Sequence, residues 1–200
     1  MDRVTLQPGD ALLVVDVQND FVTGSLAVPG GAEVIEPLNE WIAAFEARGL
    51  PIVATRDWHP VRHASFRDQG GPWPPHCVAG TPGAQFVPGL AMPAAALRVS
   101  KATRAEADAY SGFEGTELDA ALKRLGVKRV FVGGLATDYC VRRTVEDALA
   151  RGYRTLVLVD SIRAVEVHPG DGEKALRSML RAGATAISLV ELAEAAEANG

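Results

Sequence analysis

Two hundred residues, 48% of them apolar and 22% charged, suffice for one substantial hydrophobic core, and no shift in composition divides the chain. The net charge of −5, from 20 Lys and Arg against 25 Asp and Glu with no basic cluster, excludes a surface built to neutralise nucleic acid. Met1–Asp10 is polar, no apolar run approaches the roughly 20 residues that cross a bilayer, and two cysteines are too few for a disulfide framework. These features predict a single domain over residues 1–200, cytoplasmic, with Cys77 and Cys140 as free thiols and neither nucleic acid nor membrane as partner.

Short β-branched runs recur at Ala11–Val15, Ile52–Thr55, Leu97–Ser100, Arg129–Gly133, Thr155–Val159 and Thr185–Leu189. Segments with apolar residues at three- and four-residue spacing, Ala32–Arg48, Thr116–Leu125, Asp138–Arg151 and Gly172–Ala182, lie between most of them, and glycine closes each helix at 49, 126, 152 and 183. The alternation predicts an α/β fold with a parallel sheet and crossover helices. Between Thr55 and Ala95, by contrast, about forty residues rich in Pro, Gly and His show no periodicity, and so long an irregular stretch in a compact domain is usually functional.

In an open parallel sheet, ligands bind beyond the carboxyl ends of the strands, where successive connections turn to opposite faces. Asp16, Asp57, Lys101 and the turn before Cys140 all follow predicted strands and so share that edge. In VGGLATDYC, Val132–Cys140, a strand runs through two glycines into a turn that delivers Cys140 to the start of a helix. A free cysteine is commonly a small buried hydrophobe. The first helical turn, however, offers free N–H groups and a positive dipole end that favour thiolate and can hold an oxyanion. With Asp16 as an acid–base group raised in basicity by burial and Lys101 as a buried ammonium, the set reads as a nucleophilic centre rather than a packed thiol.

A second cluster, Asp57, His59, His63 and His76, falls in the strings DWHPVRHASF and WPPHC. Asp57 and His59 alternate in an extended segment, so both can face one ion, and an imidazole from the returning loop closes the site. Mixed Asp and His ligation suits one divalent ion, zinc first, with manganese or iron as alternatives, and leaves positions for water or substrate. The spacing constrains His63 least. Cys77 is expected to pack rather than ligate. The loop aromatics Phe21, Trp73 and Tyr110 suit the walls of a pocket for a flat ring, while His168, before Pro169, is assigned to capping or surface.

The strings VVDVQNDFVTGSLAVPGG, TRDWHPVRHASF, WPPHCVAGTPGA, SKATRAEADAYSGFEGT and VGGLATDYCVRRTVEDALARGY together resemble nicotinamidases of the isochorismatase-like cysteine hydrolase superfamily, over most of the chain. The resemblance implies a three-layer α/β/α, Rossmann-like fold with a six-stranded parallel sheet in the order 3-2-1-4-5-6. It implies hydrolysis of nicotinamide, and of pyrazinamide, to the acid and ammonia through a thioester, a step of pyridine nucleotide salvage. Asp16, Lys101 and Cys140 match the catalytic triad, Asp57, His59 and His76 the metal ligands, and His63 a position that joins the shell in some members. The N–H groups of Ala136 and Cys140 match an oxyanion hole set by a cis peptide between Leu135 and Ala136. Phe21, Leu26, Trp73, Tyr110, Leu135 and Tyr139 match positions around the substrate. Two departures concern pocket shape: Ala102 stands where a glycine commonly follows the lysine, and Leu135 where isoleucine or valine is frequent.

Three other readings compete. An amidase of the same superfamily acting on a carbamoyl or ureido compound would share the triad, but such relatives generally lack the DWH…WPPH set. A dinucleotide-binding protein needs glycines in the first strand–helix turn, and DVQNDF has none. A non-catalytic binding module would form no covalent adduct at Cys140. The partner expected is a small ring amide; the oligomeric state is left open.

Overall fold

The structure, a computed structural model, describes residues 3–193; the first two and last seven positions of the 1–200 span lie outside the described residues. β1 (Asp10–Val15) sits at the centre of the sheet, between β2 (Ile52–Asp57) and β4 (Arg129–Leu135). β3 (Leu97–Lys101) flanks β2, and β5 (Arg154–Arg163) and β6 (Thr185–Ile187) continue beyond β4. All pairings are parallel and the order is 3-2-1-4-5-6, as the resemblance implied.

Alternate residues of the central strands feed two separate cores, as the two-residue period of a strand requires. Leu12, Val14 and Phe131 pack under Leu38, Trp41, Ile42 and Phe45 of a long helix, Ile35–Glu46. On the other face Ala11, Leu13, Val15, Val130 and Val132 pack against the helices Leu118–Arg124, Arg142–Ala150 and Asp171–Arg181. In chain order these helices are α2, α3, α4 and α5; α1 is the short turn Asn19–Val22 after β1. Burial on both faces is why β1 reads as an unbroken apolar run rather than an alternation. Among the described residues no helix is long and apolar enough to cross a membrane.

Element boundaries differ from expectation where local chemistry intervenes. The predicted helix Ala32–Arg48 begins as a 3₁₀ turn, Gly31–Val34, and becomes α2 only at Ile35, so that Pro37 falls in the first turn, where no N–H is needed. The last strand stops at Ile187 instead of Leu189, because Ser188 and Glu191 form a capping box that turns the chain into Leu189–Glu191. The excursion between β2 and β3 is as irregular as predicted, with only the short 3₁₀ turns Arg67–Gln69 and Pro82–Ala84.

Connections from β1 to β2 and from β3 to β4 pass over opposite faces, so a crevice opens between the carboxyl ends of the adjacent strands β1 and β4. Two backbone details shape it. Gly134 has φ +122°, and a Cβ there would lie 2.1 Å from the Val15 carbonyl oxygen, so β4 can approach β1 only as glycine. Ala102 has φ +50°, in the left-handed region where a Cβ is penalised by about 1–2 kcal/mol, which is the physical reason a glycine suits the position after Lys101. Ala102→Gly is therefore expected to raise Tm by about 1–3 °C in a thermal melt, and a lower Tm refutes the strain. Gly134→Ala should instead cost several kcal/mol, on the order of 3–5, and yield little folded protein.

Candidate active site

The four strand ends deliver their groups to one place. Asp57 and Lys101 are cross-strand partners at the last rung of β2 and β3, while Asp16 follows β1 with φ +49°, a conformation aspartate tolerates, and turns its side chain inward. Lys101 Nζ lies 2.9 Å from Asp16 Oδ2, 2.5 Å from Asp57 Oδ1, 3.1 Å from the Ala109 carbonyl oxygen and 3.4 Å from Cys140 Sγ. Lys101, Asp16 and Cys140 are all buried. Thr55 donates its hydroxyl to Asp16 Oδ1 at 2.7 Å, whereas Oδ2 has no aligned hydrogen bond and faces the Lys101 ammonium. A carboxylate oxygen of each aspartate and the sulfur fall within 4.8 Å of one another.

Electrostatics follow from that crowding. Burial works against the Lys101 charge, but Asp16, Asp57 and Cys140 more than offset it, holding the ammonium well above its ordinary value. Burial raises the Asp16 carboxyl against the opposing pull of Lys101. Burial also pushes the Cys140 thiol well up, although Lys101 opposes the rise. This corrects the expectation that the helix start favours thiolate. Residues Thr137–Val141 form a wide turn ahead of α4, with Val141 N–H reaching back five residues to the Ala136 carbonyl, so the sulfur sits in the buried mouth of that turn rather than on a regular first helical turn. The resting nucleophile is a thiol. The Leu135–Ala136 peptide is cis.

Asp57, His59 and His76 come together with one donor atom from each within 4.8 Å of the others. Their ring tautomers are fixed by carbonyls, which only accept. His59 Nδ1–H donates to the His76 carbonyl oxygen at 2.9 Å and His76 Nδ1–H to that of Pro74 at 2.8 Å, so both Nε2 atoms carry a lone pair. His59 Nε2 is buried without a hydrogen-bond partner, and burial holds that imidazole down at about 3, hence neutral. A buried, unpartnered lone pair beside a carboxylate fits a divalent cation, and donation of the second ring nitrogen to the backbone is the usual support of such ligands.

His63 differs. Its ring stacks on His59 at 4.2 Å, but Nε2–H donates to the Ala107 carbonyl oxygen at 3.2 Å, and Nδ1 accepts from the Ser65 hydroxyl at 2.7 Å. Its lone pair is occupied, and it stands beside the Asp57–His59–His76 group rather than in it. Cys77 packs in the core, as expected, and His168 is exposed; its side chain does not cap α5, whose N-cap is Gly170, and its own N–H donates to Asp171 at 2.9 Å.

Cys140 lines a small cavity of about 30 Å³ together with Phe21, Leu26, Trp73, Tyr110, Tyr139 and Ala136, and Asp57 and His76 line it too. Trp73 Nε1–H donates to the Tyr110 hydroxyl at 3.1 Å and meets Tyr139 edge-on, which ties three of the walls together. Leu135 is elsewhere, fully buried in the core under Gly31. Three contributors escaped the sequence reading. Val165 lines the cavity, and Asp138 holds it by accepting the Val165 and Glu166 N–H groups at 2.9 and 3.0 Å. Asp20 accepts the Cys77 N–H at 2.7 Å and so fixes the backbone next to His76. Asp138 sits beside the nucleophile and Asp20 in the DVQNDF string, but nothing in the pattern names partners so distant in sequence.

The chain matches the Isochorismatase domain family over residues 10–191. It is 39% identical to the nicotinamidase of Escherichia coli (strain K12), across 94% of this chain and 98% of that protein. It is 46% identical to the nicotinamidase/pyrazinamidase of Mycobacterium tuberculosis, across 75% of this chain and 84% of that protein. The crystal structure of the pyrazinamidase of Pyrococcus horikoshii in complex with zinc superposes with a TM-score of 0.87 at 49% identity, covering 90% of this chain and 99% of that one. With sheet order, strand-end constellation and family match in agreement over nearly its whole length, the chain belongs to the isochorismatase family.

Proposed function

We propose that this protein is a nicotinamidase that also accepts pyrazinamide: a metal-dependent amidohydrolase converting the ring carboxamide to carboxylate and ammonia. The observation that carries the reading is the Lys101 ammonium in simultaneous reach of Asp16, Asp57 and Cys140, beside an aromatic cavity that Cys140, Asp57 and His76 all line. The curated relatives named above as nicotinamidases support the substrate class.

The chemistry assigns one task to each group. The Asp16 carboxylate takes the thiol proton as Cys140 Sγ attacks the amide carbon; because the thiol rests protonated, transfer and attack belong to one step. The oxyanion is received by the N–H groups of Ala136 and Cys140, which line the cavity. Asp16 then returns the proton to the departing nitrogen, ammonia leaves, and a thioester remains. Asp16 next removes a proton from water, whose oxygen attacks the thioester carbon; the carbon–sulfur bond breaks, Asp16 passes that proton to the departing sulfur, and the acid leaves with thiol and carboxylate restored. Lys101 keeps Asp16 from drifting to a permanently protonated carboxyl. Asp57, His59 and His76 would hold the divalent ion, for which we propose zinc, and the bound ion would supply a positive centre that orients a ring nitrogen. The aromatic walls bind the ring. The cavity of about 30 Å³ has room for a water or two beside the buried groups. Product returns to pyridine nucleotide salvage, and the proposed setting is the cytoplasm.

Cys140→Ala is expected to cut kcat on the order of 10⁶-fold, as loss of a covalent nucleophile does, while nicotinamide binding by calorimetry persists. During turnover of the parent, mass spectrometry should find an acyl adduct on the peptide containing Cys140; full activity in the alanine variant excludes the scheme. The pH profile has a defined sign. Asp16 must be unprotonated to accept the thiol proton, and its carboxyl is raised, so kcat/KM should fall on the acid side at a pH above the ordinary carboxylate range. An acid limb at or below about 4, the ordinary carboxylate value, removes Asp16 from the role of base.

A further inference from the structure

Pairing between β1 and β2 ends at Val15 and Thr55. Beyond it the chain turns at Asp16, and the backbone of the next two residues pairs with the returning end of the excursion: Val87 N–H donates to the Val17 carbonyl oxygen at 3.1 Å, and Gln18 bridges Phe86. Asp57, at the end of β2, has thereby lost its neighbour on the β1 side. The Gln18 side chain takes that place. Its Oε1 accepts the Asp57 N–H at 2.8 Å, and its Nε2 donates to the Asp57 carbonyl oxygen at 2.8 Å and to the Ala84 carbonyl oxygen at 2.9 Å. The orientation of the amide is unambiguous, because a backbone N–H needs an acceptor and two carbonyls need donors. Gln18 is fully buried and its amide makes three bonds, all to main chain. It imitates a peptide unit where the sheet has run out of one.

What the clasp holds is the one carboxylate shared by both clusters. Asp57 Oδ1 meets the Lys101 ammonium, and Oδ2 lies 3.9 Å from the unpartnered His59 Nε2. On its other side Asp57 is fixed by its rung with Lys101. With both backbone flanks secured, its carboxylate is held between ammonium and imidazole. We infer that Gln18 is a positioning residue for the metal centre, acting through the Asp57 backbone; the inference rests on the proposed ion site at Asp57, His59 and His76. Outer groups that orient a ligand typically contribute 10–100-fold to metal affinity.

The test uses the full chain stripped of metal and titrated with Zn²⁺ against a chromophoric competing chelator. Parent, Gln18→Met and Gln18→Glu are compared, with folding checked by circular dichroism and thermal melts. Methionine keeps the volume and removes every bond; glutamate keeps the acceptor for the Asp57 N–H but turns oxygen on two carbonyls. The expected result is a parent that binds one Zn²⁺ per chain and folded variants weaker by about 10–100-fold. Variants that melt lower yet bind Zn²⁺ within threefold of the parent assign Gln18 a purely structural role and overturn the inference. So does failure of both variants to fold where the parent folds, which places the clasp in folding alone. A folded parent that takes up no Zn²⁺ overturns the ion site itself, and that failure is distinct because it appears before any substitution.

Discussion

One buried ammonium organises this molecule. Lys101 sits without solvent at the end of an edge strand, and its contacts with Asp16 and Asp57 are the largest of those that keep it charged. A lone charge in that place would shed its proton, and a lone carboxylate would acquire one. The Lys101 ammonium and the Asp16 carboxyl each bear on the other's charge because the sheet holds them within reach of one another. That arrangement costs desolvation and contributes little to net stability, so a polar cluster of this kind reads better as chemistry than as a fastening. Sheet geometry supplies the placement at no further cost, since Asp57 and Lys101 are register partners and Asp16 and Cys140 leave adjacent strands.

Asp57 belongs to two constellations at once. Through Oδ1 it completes the counter-charge of the ammonium, and through Oδ2 it faces the lone pairs of His59 and His76. The histidines are sorted by the hydrogen bonds of their Nδ1 atoms. Two donate to carbonyls and aim a lone pair inward; His63 accepts from Ser65 and aims none. The His59 ring touches both of the others, but only His76 joins it and Asp57 within 4.8 Å, and the hydrogen bonds of the Nδ1 atoms agree with that division. The same sharing explains why a residue as far from the cavity as Gln18 bears on both clusters.

Much of this was legible in the residues. Apolar runs located every strand, glycines marked the helix ends, and Asp16, Asp57, Lys101 and Cys140 could be placed on one edge because each follows a strand. The aromatic walls Phe21, Trp73 and Tyr110 were readable from their occurrence in loops. What escaped has a common cause. Val165 enters the cavity because Asp138 bonds a loop 27 residues away, and Gln18 bonds a strand end 39 residues distant. Periodicity carries the local period of one element and is silent on such pairings. At Cys140 two influences differ in kind: a helix-end dipole is a local property, whereas burial is set by the whole fold and pushes the thiol up.

The dryness that raises the thiol also bears on the second half of the proposed reaction. A cavity of about 30 Å³ leaves room for little water beside the charge cluster, and burial holds the Cys140 thiol up. Hydrolysis of a thioester nevertheless requires one water beside Asp16. Departure of ammonia vacates a space the size of a water molecule at the carbonyl carbon, within the reach of the carboxylate that has just surrendered its proton. The sequence of events therefore follows from volume and charge together. Substrate displaces water from the mouth, the leaving group makes room for a single water, and the group that protonated the amine is left in the form needed to deprotonate its replacement.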